Sequence, residues 1–147
     1  MKQLDRVEAG TISWVDENYP AIAPLVEPLE LEGFRITPYL TFTQAWEDKE
    51  EIAKSRLLLI ALDLPTGRMQ INQDGFVGLT LLKHLRSEDV QAPAVFLTFK
   101  GTAFGGTALT ETRLTSTLMR QLDASLVPLP ALPSQLRNHV HDRLALP

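Results

Sequence analysis

The sequence predicts an α/β fold, a doubly wound five-stranded parallel sheet with helices on both faces. Five short apolar runs, at residues 11–15, 34–40, 57–62, 94–99 and 125–129, alternate with helix-like segments at 21–33, 43–55, 76–86, 111–122 and 133–146. Strand alternating with helix in this way builds a parallel sheet through right-handed crossovers. The third run, Leu57-Leu58-Leu59-Ile60-Ala61-Leu62, is apolar at every position, as a central strand buried on both faces must be. The first run ends on two adjacent acids, Asp16 and Glu17, where open parallel sheets line their ligand crevice.

Each element carries its own signals. The first helical segment, 21–33, contains Pro24 and Pro28. Pro24 suits a first turn, but Pro28 removes a backbone donor and should kink or shorten the helix. In the second, Trp46 reads as a packing residue and Glu47-Asp48-Lys49-Glu50-Glu51 as a solvated face. The third places Leu79, Leu82 and Leu85 on one stripe, with His84 toward solvent or a neighbour. In the last, His139 and His141 are two apart and fall on different faces, which does not suit a metal site. Ser116 has no sequence pattern of a nucleophilic triad around it. Two long connections, 65–75 and 100–110, stand out. The second, from Lys100-Gly101-Thr102 onward, is glycine-rich but lacks the Gly-Lys-Ser/Thr ending of a phosphate-binding loop.

The bulk properties exclude several classes. A chain of 147 residues suits one domain, expected over 1–147 with its core at about 11–144. Net charge is −4 with no basic block, which argues against a cationic nucleic-acid face. The absence of cysteine excludes disulfides and thiolate metal sites. No run reaches the roughly 20 apolar residues that span a bilayer. The start, Met1-Lys2-Gln3-Leu4, has no secretory apolar core. A cytoplasmic location away from membranes is the expectation.

The acids after the first run have two readings. Adjacent carboxylates repel unless a proton or a cation relieves them. Mg²⁺ accepts one or two carboxylates plus waters, so the pair suits a Mg²⁺ site. Alternatively, Asp16 or Asn18 caps the following helix.

Together these motifs resemble the receiver domain of bacterial two-component response regulators, over nearly the whole chain. The resemblance is carried by Trp14-Val15-Asp16-Glu17, by Leu62-Asp63-Leu64-Pro65, and by Asp74-Gly75-Phe76 leading into Leu79 to Arg86. It continues in Ala92-Pro93-Ala94-Val95-Phe96-Leu97-Thr98, and in Leu126-Val127-Pro128-Leu129-Pro130 before Pro133. It implies a flavodoxin-like sheet in the order 2-1-3-4-5 and phosphoryl transfer to an aspartate. In that chemistry acids hold Mg²⁺, a hydroxyl residue binds the phosphoryl group and a lysine pairs with it. Asp16 and Glu17 match the metal-binding acids, with Asp63 as third ligand, and Thr98 matches the phosphoryl and switch position. The acceptor position, counted back from Pro65, is Ala61, whose methyl group cannot be phosphorylated. Asp63, two residues on, keeps the same facing if the strand continues, and is the alternative acceptor. The lysine position, before Pro130, holds Leu129, and the usual aromatic three residues earlier is Leu126.

These departures imply an atypical, degenerate receiver. It is expected to be a non-enzymatic signalling module that contacts a protein partner or a second copy, with at most weak Mg²⁺ binding and inefficient phosphorylation. A lysine at 129 would then restore part of the lost chemistry. One alternative is a working phosphoacceptor using Asp63 with Mg²⁺ at Asp16 and Glu17. Another is a small hydrolase or nucleotide-binding protein using the same acidic crevice. The expected contact face, on the fourth helix, fifth strand and fifth helix, holds Arg113, Met119, Arg120, Leu126, Pro128 and Arg137.

Overall fold

A computed structural model describes residues 9–62, 77–99 and 116–146. Its strands are β1 (Gly10–Val15), β2 (Phe34–Tyr39), β3 (Leu57–Ala61), β4 (Ala94–Phe99) and β5 (Ala124–Leu129). They form one five-stranded sheet in the order β2-β1-β3-β4-β5, parallel throughout. This is the predicted topology. Every residue of β3 is buried, which explains its unbroken apolar sequence. The edge strands β2 and β5 each carry a proline, Pro38 beside Trp14 and Pro128 beside Thr98. Only an edge strand tolerates a missing ladder donor.

The first helical segment departs from the expected single helix over 21–33. It is a staircase of α1 (Tyr19–Ile22), a 3-10 turn (Ala23–Val26) and α2 (Glu27–Leu31). Pro20, Pro24 and Pro28 each stand at the start of one step. There a missing N–H costs nothing, whereas inside a continuous helix each would break a bond. The second segment also divides, into α3 (Phe42–Glu47) and α4 (Lys49–Ile52). The Thr41 hydroxyl caps α3 by accepting the Gln44 N–H at 3.1 Å. Asp48, at φ −114° and ψ 26°, leaves the helical conformation between the two. Its carboxylate accepts the Tyr39 hydroxyl at the end of β2. Asp is a weak helix former with a short side chain that serves such bonds well.

Helix α5 (Val77–Ser87) buries Leu79, Leu82 and Leu85 as its spacing predicts, and Leu81 with them. Helix α6 spans Ser116–Gln121. Helix α7 (Pro133–Leu144) stops short of the expected 146, because Ala145 turns left-handed at φ 57°.

The sheet separates two apolar layers. On one side Ile60, Leu62 and Phe96 meet Phe42, Ile52, Leu81, Leu82 and Leu85. On the other, Ile12, Trp14, Leu59 and Leu97 meet Val26, Leu29, Leu136 and Val140. Helices thus cover both faces.

Polar side chains tie these layers at the margins. Arg86 donates twice to the Leu122 carbonyl, at 2.9 and 2.7 Å, and once to that of Val90 at 2.6 Å. It thereby satisfies one carbonyl just past the end of α6 and another in the turn after α5. Glu32 receives Arg137 Nε and His141 Nε2, each at 2.6 Å, joining the end of α2 to α7. Trp46 packs as expected: it meets Phe42 at 6.3 Å and His84 at 5.8 Å, with the Lys49 ammonium 4.5 Å from its ring centre. Lys49 therefore covers an aromatic face rather than standing free in solvent.

His139 shares a hydrogen bond of 2.7 Å with the Ser125 hydroxyl across β5 and α7. Burial lowers its pKa, the Arg143 charge lowers it further, and Asp142 opposes them. An unfolded histidine takes up its proton near pH 6.5, while this one resists until lower pH. Stability present above about pH 6.5 should therefore be lost as pH falls through the folded-state value. His139→Gln should flatten that slope, read as urea midpoints between about pH 7.5 and pH 5.

Candidate functional site

The crevice lies at the carboxyl edge of the sheet, where β1 gives way to α1. The Asp16 N–H continues the ladder by donating to the Tyr39 carbonyl at 2.8 Å. The chain then turns sharply. Asp16 Oδ1 accepts the Asn18 N–H at 2.9 Å, and its carbonyl accepts the Tyr19 N–H at 3.1 Å. The Tyr19 ring stands edge-on to Trp14 with centroids 5.0 Å apart. These contacts leave Asp16 only 2% exposed, while Glu17 beside it is exposed. Asn18 precedes α1 without a side-chain cap bond, so the cap-like role falls to Asp16.

Burial pushes the Asp16 carboxyl pKa up. The Asn18 N–H and the Trp14 indole pull it back down, and the Glu17 charge adds to the rise. The Trp14 Nε1 is itself buried and, among the described residues, meets no acceptor with good hydrogen-bond geometry. Its effect on Asp16 is that of a nearby dipole rather than a formed bond.

One step beyond the Val15–Ile60 pair, Asp16 comes level with Ala61, the last residue of β3. Ala61 lies beside Leu97, so Thr98 stands one residue further on at the same edge. Thr98 is buried, and its hydroxyl has no partner among the described residues. As a strand residue it continues the face of Phe96, whereas Asp16 turns toward Trp14 on the other face. Asp63, Asp74, Gly75, Lys100 and Arg113 lie outside the described residues.

Residue 129 is 3% exposed and sits in the apolar layer with Trp14, Leu97 and Leu136. Beyond it, a cavity of about 240 Å³ opens between Ala21, Ile22, Pro24, Leu25 and Pro130. Leu129 forms part of its wall and belongs to the core.

The described donors do not fit a hydrated Mg²⁺. Mg²⁺ keeps several waters and needs carboxylate oxygens that solvent can reach. Asp16 is buried with one oxygen already engaged, and no group of three acids or histidines gathers among the described residues. Of the expected contact face, Met119 and Leu126 are half-buried and Arg120 and Pro128 exposed. Arg137 does not belong to it, because Glu32 draws it toward α2.

Sequence reasoning missed two residues that shape the site. Gly78, in the first turn of α5, lies against the end of β3 and donates its N–H to the Leu62 carbonyl at 3.0 Å. In sequence Gly78 is one small residue within a leucine-rich helical segment, and only its close approach to the Ala61 carbonyl marks it out. Trp14 read as one more apolar strand residue, and nothing in the sequence disclosed its indole beside Asp16.

The architecture and its edge define a class: the chain has the fold of response-regulator receiver domains. The receiver domain of NtrX from Brucella abortus is 17% identical with a TM-score of 0.66, covering 91% of this chain and 98% of that one. A CheY-like receiver domain protein from Methanospirillum hungatei JF-1 is 17% identical with a TM-score of 0.64, covering 92% and 93%. A longer NtrX structure from Brucella abortus, in complex with ATP, is 18% identical with a TM-score of 0.69, covering 93% and 27%. The present chain thus spans about a quarter of that longer protein. At these identities the likeness establishes fold alone. No family model and no curated protein matches the sequence. Among the described residues, no helix is long and apolar enough to cross a membrane.

Proposed function

We propose that the chain is a receiver-fold signalling module that acts by protein–protein contact, in the cytoplasm, with little or no aspartyl phosphorylation. The observation that carries this reading is Leu129, buried in the core where the resemblance calls for a lysine. Phosphoryl transfer is driven by fixed positive charge around the transferring group, and losing one such contact typically costs about 3–4 kcal/mol of transition-state stabilisation. Ala61 adds to the case, since it closes β3 level with Asp16 and has no nucleophile. A module without this chemistry signals through its surface. Arg120 and Pro128 are exposed on the α6–β5 side, and Arg is a frequent interface residue.

The test is incubation with acetyl phosphate and Mg²⁺ followed by intact-mass measurement. No phosphoryl adduct is expected on the timescale on which a working receiver saturates. Rapid, stoichiometric modification mapping to Asp63 would overturn the proposal and establish the phosphoacceptor alternative.

A further inference from the structure

We propose that Asp16 is a structural carboxyl group, held inside the β1–α1 turn against Trp14, and that the acidic pair has thereby lost its divalent-cation ligand. Three independent contacts support this. The carboxylate closes the turn through Asn18, the adjoining carbonyl holds Tyr19, and the Tyr19 ring stands on the edge of Trp14. Trp14 is completely buried among Leu59, Leu97 and Leu136, so it anchors the assembly. Its indole N–H has no acceptor of good geometry among the described residues, and the Asp16 carboxylate is its nearby negative group. If Asp16 swung out to a cation, the Asn18 N–H would lose its acceptor and the indole its compensating charge. Of the described acids at this edge Glu17 would then remain at the surface, and one exposed carboxylate with water binds such ions poorly. The inference does not rest on the fate of Asp63. A turn carboxylate is withdrawn from a cation whether or not a phosphoryl group is accepted elsewhere, so the acetyl-phosphate result and this one can fail separately.

The experiment is a Mn²⁺ titration of the full chain by water-proton relaxation, paired with thermal melts with and without Mg²⁺. Wild type and Asp16→Asn should bind Mn²⁺ equally weakly. The Asn variant should lose less Tm than the Ala variant, because its amide oxygen still accepts the Asn18 N–H while the charge beside the indole is gone. Asp16→Ala should lower Tm by about 3 °C, equally with and without Mg²⁺. Trp14→Phe keeps a buried ring but removes the N–H, and should raise Mn²⁺ affinity about tenfold by loosening Asp16. A tenfold loss of Mn²⁺ affinity in Asp16→Asn would overturn the proposal, since Asp16 would then be a ligand. Unchanged Mn²⁺ affinity in a folded Trp14→Phe variant would overturn the role given to Trp14. Should Asp16→Ala fail to fold, the Asp16→Asn titration decides the matter.

Discussion

Gly78→Ala is expected to lower stability by about 3 kcal/mol or more, an unusual penalty for one added methyl. A Cβ built on Gly78 would stand 2.1 Å from the Ala61 carbonyl oxygen and 2.9 Å from both the Ala61 carbonyl carbon and the Leu62 Cα. All three are backbone atoms of or beside the central strand, and none can rotate away. Relief would require α5 to lift from the sheet, breaking the 3.0 Å bond from the Gly78 N–H to the Leu62 carbonyl. Leu79, Leu81, Leu82 and Leu85 would lose packing together. Intrinsic propensity favours alanine over glycine in a helix by about 1 kcal/mol, so a net loss isolates the steric term. Urea unfolding should show a lower midpoint at unchanged slope. A variant as stable as wild type would mean that α5 does not sit this close to β3.

Leu129→Lys should be nearly as damaging. The resemblance alone suggests that this change restores phosphoryl chemistry, but residue 129 is buried in an apolar layer, at the wall of an apolar cavity. An unpaired ammonium buried there costs on the order of 3 kcal/mol, less whatever the stem recovers by reaching solvent. The pH dependence separates this cause from a packing defect. A lysine that resists protonation in the folded protein binds fewer protons than its unfolded counterpart, so stability rises with pH. The deficit should shrink as pH approaches about 10, near the ordinary lysine value. A penalty that is flat with pH would point to shape alone. Full stability together with an acetyl-phosphate adduct would show that the pocket accepts a lysine after all.

The sheet was legible because its signals are local and redundant. The unbroken apolar run of β3 and the alternation of strands with helices need no tertiary information, and they fixed the central strand. The helices on the β1 side were less legible. Pro20, Pro24 and Pro28 recur every four residues, and each excuses the next break, so a kinked helix and a staircase look alike in sequence. The break at Asp48 was hidden, since it depends on the Tyr39 hydroxyl nine residues earlier. At the site, residue types and order could be read, but burial could not. The acid at Asp16 could be read, but not that Asn18 and Trp14 bury it. Leu129 looks like a missing lysine until it proves to be packed. Arg137 looks like part of one surface until Glu32 claims it for another.

The prolines on the outer strands also limit how the molecule can meet others. A sheet normally invites growth at its rims, because open ladders accept a further strand from another chain. Here Pro38 interrupts the donors of one rim and Pro128 those of the other. An extended peptide laid along either rim would find a donor missing at the penultimate residue of the strand. Strand addition, and with it the route toward fibrous stacking, is disfavoured at both ends of the sheet. A contact made along these rims would therefore have to rest on side chains rather than on the repeating backbone.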